Sequence, residues 1–88
     1  MRDGIFLQKE YGRVIITLKD ALESQSMTRN NLAKLTGLGY NTIDRYYKNG
    51  PTTSVDLDIL ARICFVLNCQ ISDLLKYEFS SPKPEADN

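Results

Sequence analysis

Two sets of residues in this 88-residue chain have types and spacings that bear on chemistry. The first is Cys64 and Cys69, the only cysteines, in a chain that has no histidine. Their spacing does not match the CxxC of a zinc or redox site, and no histidine is available to complete a ligand set. A bridge between positions so close in sequence would also distort any helix running through them. The thiols therefore read as reduced, small apolar side chains, Cys64 buried and Cys69 partly exposed, with no metal and no cofactor expected. The second set lies between Thr28 and Lys48, where Ala33, Gly37 and Ile43 form a small-x3-Gly-x5-Ile pattern. Two helices that cross steeply through a short turn need a small residue at the closest approach, a glycine at the turn and an apolar anchor on the second helix. Catalysis finds no support, because there is no glycine-rich phosphate loop and no nucleophile with a base beside it. The chain is not expected to be an enzyme.

The elements that must hold this segment can be read outward from it. Thr28 is a good N-cap, with Met27 before it as a staple, and Leu32, Ala33 and Leu35 would form the inward face of the helix it starts. Gly37 can take the left-handed conformation that ends that helix. A further helix is expected from about Gly39 to Lys48, with Ile43 and Tyr46 directed inward, and Asn49-Gly50-Pro51 reads as the turn that stops it. Upstream, Val14, Ile15, Leu18, Ala21 and Leu22 recur at spacings of three and four, which places a first helix from Tyr11. Downstream, Asp56 would cap a helix with the stripe Leu57, Leu60, Ala61, Cys64 and Leu67, ending at Asn68. Gln70 to about Lys76 reads as a short fifth helix, with Asp73 in its first turn. The expected fold is thus an all-α domain of five helices over residues 11–78, with no strand. Residues 1–10 read as an arm, in which Ile5, Phe6 and Leu7 would cover the domain or meet a second copy. Residues 79–88 read as a disordered tail.

Composition fits one globular domain, with 42% apolar and 25% charged residues. No apolar run approaches the roughly 20 residues of a membrane helix. The apolar stretch near the start is too short for an export signal, so a cytoplasmic location is expected. Net charge is zero but unevenly placed: residues 1–50 carry eight basic and five acidic groups, and residues 51–88 three basic and six acidic. One electropositive and one electronegative half are compatible with a side that faces DNA.

The segment Thr28-Arg29-Asn30-Asn31-Leu32-Ala33-Lys34-Leu35-Thr36-Gly37-Leu38-Gly39-Tyr40-Asn41-Thr42-Ile43 resembles the helix-turn-helix of the Cro and phage-repressor, or XRE-like, family. The likeness continues through Leu57–Cys64 and Leu67–Leu75, similar to the last two helices of short, cysteine-containing bacterial members. It departs at Gly39, where a Ser or Thr cap is usual, and at Arg29, where a Gln is common. The resemblance implies sequence-specific binding of double-stranded DNA and regulation of transcription, with repression favoured. The helix at 39–48 would then enter the major groove. Tyr40, Asn41, Asp44 and Arg45 would be its base-contacting residues. Asn can pair with adenine, Arg with guanine and Tyr with a thymine methyl, while Asp44 would orient Arg45 or accept from cytosine. Thr28, Arg29, Thr42 and Lys48 would contact phosphates. A homodimer is physically attractive, since one such helix reads only a few base pairs. The alternative is a protein-interaction module, such as an antitoxin or anti-repressor-type partner, using the same fold. No small-molecule ligand and no membrane is implied.

Overall fold

Val14-Ile15-Ile16-Thr17 is a run of four β-branched residues, stiff at χ1 and suited to a pleated strand. The computed structural model describes residues 11–80. In it this run is the strand β1, Arg13–Thr17, and the helix α1, Leu18–Ser24, starts only at its end. There follow α2 (Arg29–Thr36), α3 (Tyr40–Tyr46), β2 (Asn49–Thr52), α4 (Leu57–Leu67), a single 3-10 turn at Ile71–Asp73 and β3 (Leu75–Glu78). The strands make one antiparallel sheet in the order β2-β1-β3. Ile16 lies opposite Gly50 on one side and Leu75 on the other.

The expectation of five helices and no strand is therefore corrected in three places. Residues 11–17 do not continue α1. The three- and four-residue spacing of Val14, Ile15 and Leu18 is coincidental, because Ile16 is the strand residue that enters the core. α3 already stops at Tyr46, short of the expected Lys48, and Asn49-Gly50-Pro51 belongs to β2 rather than to a free turn. Pro51 is tolerated there because β2 is an edge strand, where a missing N–H need not cost a ladder bond. The fifth helix shrinks to the 3-10 turn, and the residues after it form β3. Thr17 decides this point: its N–H donates to the Leu74 carbonyl at 2.7 Å and its hydroxyl to the Asp73 carbonyl at 2.8 Å. A continuing α-helix would need those carbonyls for its own i→i−4 bonds.

The core is formed by Ile16, Leu18, Leu22, Leu32, Ala33, Ile43, Leu60, Ile63, Leu67 and Leu74. It draws on the sheet and on all four α-helices. Two apolar stripes differ from expectation. On α2 the inward residues are Leu32, Ala33 and Thr36, while Leu35 is 61% exposed. The Thr36 hydroxyl is accommodated by donating to the Leu32 carbonyl at 2.7 Å. On α4 the buried residues are Leu60, Ile63 and Leu67, whereas Leu57 is 74% exposed and Ala61 also faces out. The arm at 1–10, with its proposed contact through Ile5, Phe6 and Leu7, and most of the tail at 79–88 lie outside the described residues.

Candidate nucleic-acid interface

The helix pair is set by capping at its ends. The Thr28 hydroxyl accepts from the Asn31 N–H at 3.1 Å and so starts α2. Gly37, at φ +77°, ends it in the left-handed region, where a Cβ would be strained. Arg62 on α4 completes this terminus: one guanidinium N–H donates to the Thr36 carbonyl at 3.3 Å while Nε meets Asp58 Oδ2 at 3.0 Å. Gly39 is the N-cap of α3 and gives it no side-chain hydrogen bond, so only its backbone carbonyl receives the first turn, from the Thr42 and Ile43 N–H groups at 3.0 and 3.1 Å.

Ile43 is fully buried and fixes the rotation of α3 about its axis. With that residue inside, Tyr40, Asn41, Asp44 and Arg45 all fall on the exposed side, and Thr42 is half-buried. The end of α3 is tied down from two directions. The Tyr46 hydroxyl accepts from the Asp56 N–H at 2.8 Å, linking α3 to the start of α4. Asn49 reaches α1, donating to Asp20 Oδ1 at 2.8 Å and accepting from the Asp20 N–H at 3.3 Å. Lys48, between these anchors, is exposed. It shares with Arg45 a groove whose walls include Tyr46, Thr52, Ser54 and Asp56. Residues 28–48 contain four cations (Arg29, Lys34, Arg45 and Lys48) against the single carboxylate of Asp44.

That carboxylate has a partner that sequence spacing did not show. Arg29 Nη1 donates to Asp44 Oδ1 at 2.5 Å. The same guanidinium lies 4.3 Å from the centre of the Tyr47 ring and 5.7 Å from that of Tyr40. Arg29, Tyr40, Asp44 and Tyr47 therefore form one cluster across α2 and α3. The signals for it in the sequence were only an Arg at the first position of one helix and an Asp midway along the next. Tyr47 is half-buried and serves as the stacking surface.

The thiols lie away from this face. Cys64 and Cys69 are free and both half-buried, so Cys64 is less buried than its stripe implied. Cys69 follows Asn68, whose φ of +53° ends α4. Its thiol is pushed up from an ordinary 9.0 to about 11, by burial first and then by Cys64 and Asp73 nearby. The folded state thus favours the protonated thiol, and this contribution to stability is lost as pH rises from about 9 towards 11. Since the thiolate is the nucleophile, alkylation of Cys69 by iodoacetamide in the native protein is expected to be slow at pH 8 and to climb towards pH 11. A rate at pH 8 equal to that of the unfolded chain, followed by mass spectrometry, would contradict the burial. Among the described residues no group of three or more Cys, Asp or Glu side chains is arranged to hold a metal ion. No helix among them is long and apolar enough to cross a membrane.

Comparison with known proteins agrees with this geometry. Residues 17–80 match the family described as the Cro/C1-type HTH DNA-binding domain. A crystal structure of a candidate DNA-binding protein from Bacteroides fragilis superimposes with a TM-score of 0.61 at 27% identity, covering 72% of this chain and 98% of that one. The transcriptional regulator VanUg superimposes with a TM-score of 0.62 at 26% identity, covering 90% of this chain and all of that one. Among curated proteins no significant match was found. With the family match spanning most of its length and the helix pair in place, the chain belongs to the Cro/C1-type helix-turn-helix DNA-binding family.

Proposed function

We propose that this protein regulates transcription by binding double-stranded DNA sequence-specifically, with α3 laid in the major groove. The observation that carries the reading is the exposed row Tyr40, Asn41 and Arg45 opposite the buried anchor Ile43, in a chain of this family. Asn41 and Arg45 have the hydrogen-bonding pattern for adenine and guanine edges, and Tyr40 an apolar ring for a thymine methyl. Thr28, Thr42 and Lys48 are the proposed phosphate contacts that fix register. The transcriptional regulator VanUg, of similar fold, supports the regulatory role. Repression is the proposed sign, because occlusion of a promoter needs nothing beyond binding. We also propose that the protein acts as a homodimer on a two-fold site, since one short helix reaches too few base pairs for useful selectivity.

Selection of bound sites from randomised duplexes tests the reading directly. A consensus with two related half-sites is expected, and a single asymmetric half-site would reject the dimer. Arg45→Ala should weaken binding to that consensus by about 1–3 kcal/mol and relax one base position. Lys48→Ala should weaken every duplex alike and lower the slope of log K against log salt by about one. If Arg45→Ala instead behaves as Lys48→Ala does, the shared groove holds both side chains on the backbone and the base-reading role of Arg45 fails. If no duplex is bound even at low salt, the same fold is better read as a protein-interaction module.

A further inference from the structure

We infer that Arg29 is a positioning residue that cancels Asp44 on the DNA-facing side of α3 and fixes the tilt of that helix, instead of contacting phosphate itself. The inference rests on the reading that this side of α3 meets DNA. Asp44 lies among Tyr40, Asn41 and Arg45 on the exposed face of α3, and it is the single carboxylate between residues 28 and 48. An uncompensated carboxylate there would face a dense array of phosphates, and the cost would fall on binding and not on folding. Arg29 removes that cost through a charge-assisted hydrogen bond of 2.5 Å.

The guanidinium is held by two contacts at once. Nη1 donates to Asp44, and the guanidinium carbon sits 4.3 Å from the centre of the Tyr47 ring, well inside the range for a cation–π contact. The contacts run from the first residue of α2 to the last turn of α3 and to its C-cap, so they join the two helices. Asp44 and Tyr47 hold the C-terminal end of α3, while Tyr40, 5.7 Å from the guanidinium, is the contact at the end that Gly39 leaves without a side-chain cap. A flat guanidinium can stack and pair at once, whereas a lysine ammonium in its place would keep the charge and lose the stacked plane. Asp44 is thereby bound to α2, and orienting Arg45 is not part of its role.

The test is a double-mutant cycle read as DNA affinity across a salt series, with Arg29→Gln, Asp44→Asn and the pair together, on the duplex selected by the wild-type protein. Arg29→Gln is expected to weaken binding about tenfold at low salt, because it uncovers Asp44. Asp44→Asn should then recover about tenfold more affinity in the Arg29→Gln background than it gains in the wild-type background. The excess should shrink as salt rises, since it is a screened charge–phosphate repulsion. If Asp44→Asn changes affinity by the same factor in both backgrounds, the two residues act independently and the inference is overturned in favour of a direct phosphate contact by Arg29. Arg29→Lys tests the positioning half: it should keep most of the affinity and broaden the base preference set by Asn41 and Arg45. An unchanged preference would overturn that half. Thermal unfolding of each variant keeps loss of fold apart from loss of binding. If the wild-type protein binds no duplex, the functional reading fails, and the clamp is then judged by the stability coupling of the same four proteins, where additivity would sink it.

Discussion

Replacing Ile43 by alanine is expected to lower the unfolding free energy by about 2–5 kcal/mol and the melting temperature by at least about 10 °C. The side chain is fully buried at the centre of the helix pair, in a core that also holds Leu32, Ala33, Leu60 and Ile63. Truncation loses the transfer energy of three carbons and leaves a cavity that the crossing helices cannot easily close, because Thr28, Gly37 and Arg62 pin the ends of α2. A domain of this size has only about 5–15 kcal/mol to lose. The informative control is Leu35→Ala. Leu35 lies in the same helix-turn-helix but is 61% exposed, so its truncation should cost no more than about 0.5 kcal/mol. Calorimetry of the two variants side by side would show the contrast. Equal losses would mean that α2 is rotated from the orientation described, and the exposed face of α3 would have to be reassigned with it.

The contrast between these two residues shows what the sequence could and could not disclose. Caps were legible because they act through bonds to the next few residues: Thr28 and Asp56 start helices, and Gly37 and Asn68 end them, where their types imply. Ile43 was legible because the crossing requires an apolar residue at that distance from Gly37. Leu35 was misplaced because one apolar residue in a short helix satisfies a periodic pattern by chance, whereas Thr36 could be buried only by bonding back to Leu32. The sheet was hidden for another reason. Each strand is four or five residues long, and β1 finds its partners far away, with Val14 opposite Thr52 and Tyr77. A proline in β2 and alternating polar residues in β3 then read locally as turn and helix end. The Arg29–Asp44 pair is hidden in the same way, since it exists only once the helices have crossed.

The sheet also supplies the prediction whose sign separates the two readings of the N-terminal segment. Gly12 precedes β1, and its N–H donates to the Tyr77 hydroxyl at 2.7 Å. Were residues 11–17 the first turns of a helix, alanine at position 12 would be the better helix former and would stabilise the domain by about 1 kcal/mol. In the structure the glycine lies directly against β3. A Cβ built on it would overlap the Glu78 carbonyl oxygen and come within 2.9 Å of Phe79 Cα. Both obstacles are backbone, so no rotamer change relieves them, and β1 and β3 must separate at this end. Gly12→Ala is therefore expected to destabilise by about 3 kcal/mol, the upper end of what a single overpacked methyl costs. The Arg13–Glu78 ion pair and the pairing of Val14 with Tyr77 should loosen with it. Hydrogen exchange resolves where the damage falls: the amides of β1 and β3 should lose protection while those of α2 and α3 keep theirs, and DNA affinity measured well below the melting temperature should change little. A stabilised Gly12→Ala variant would mean that the strand β1 does not lie against β3 at that point.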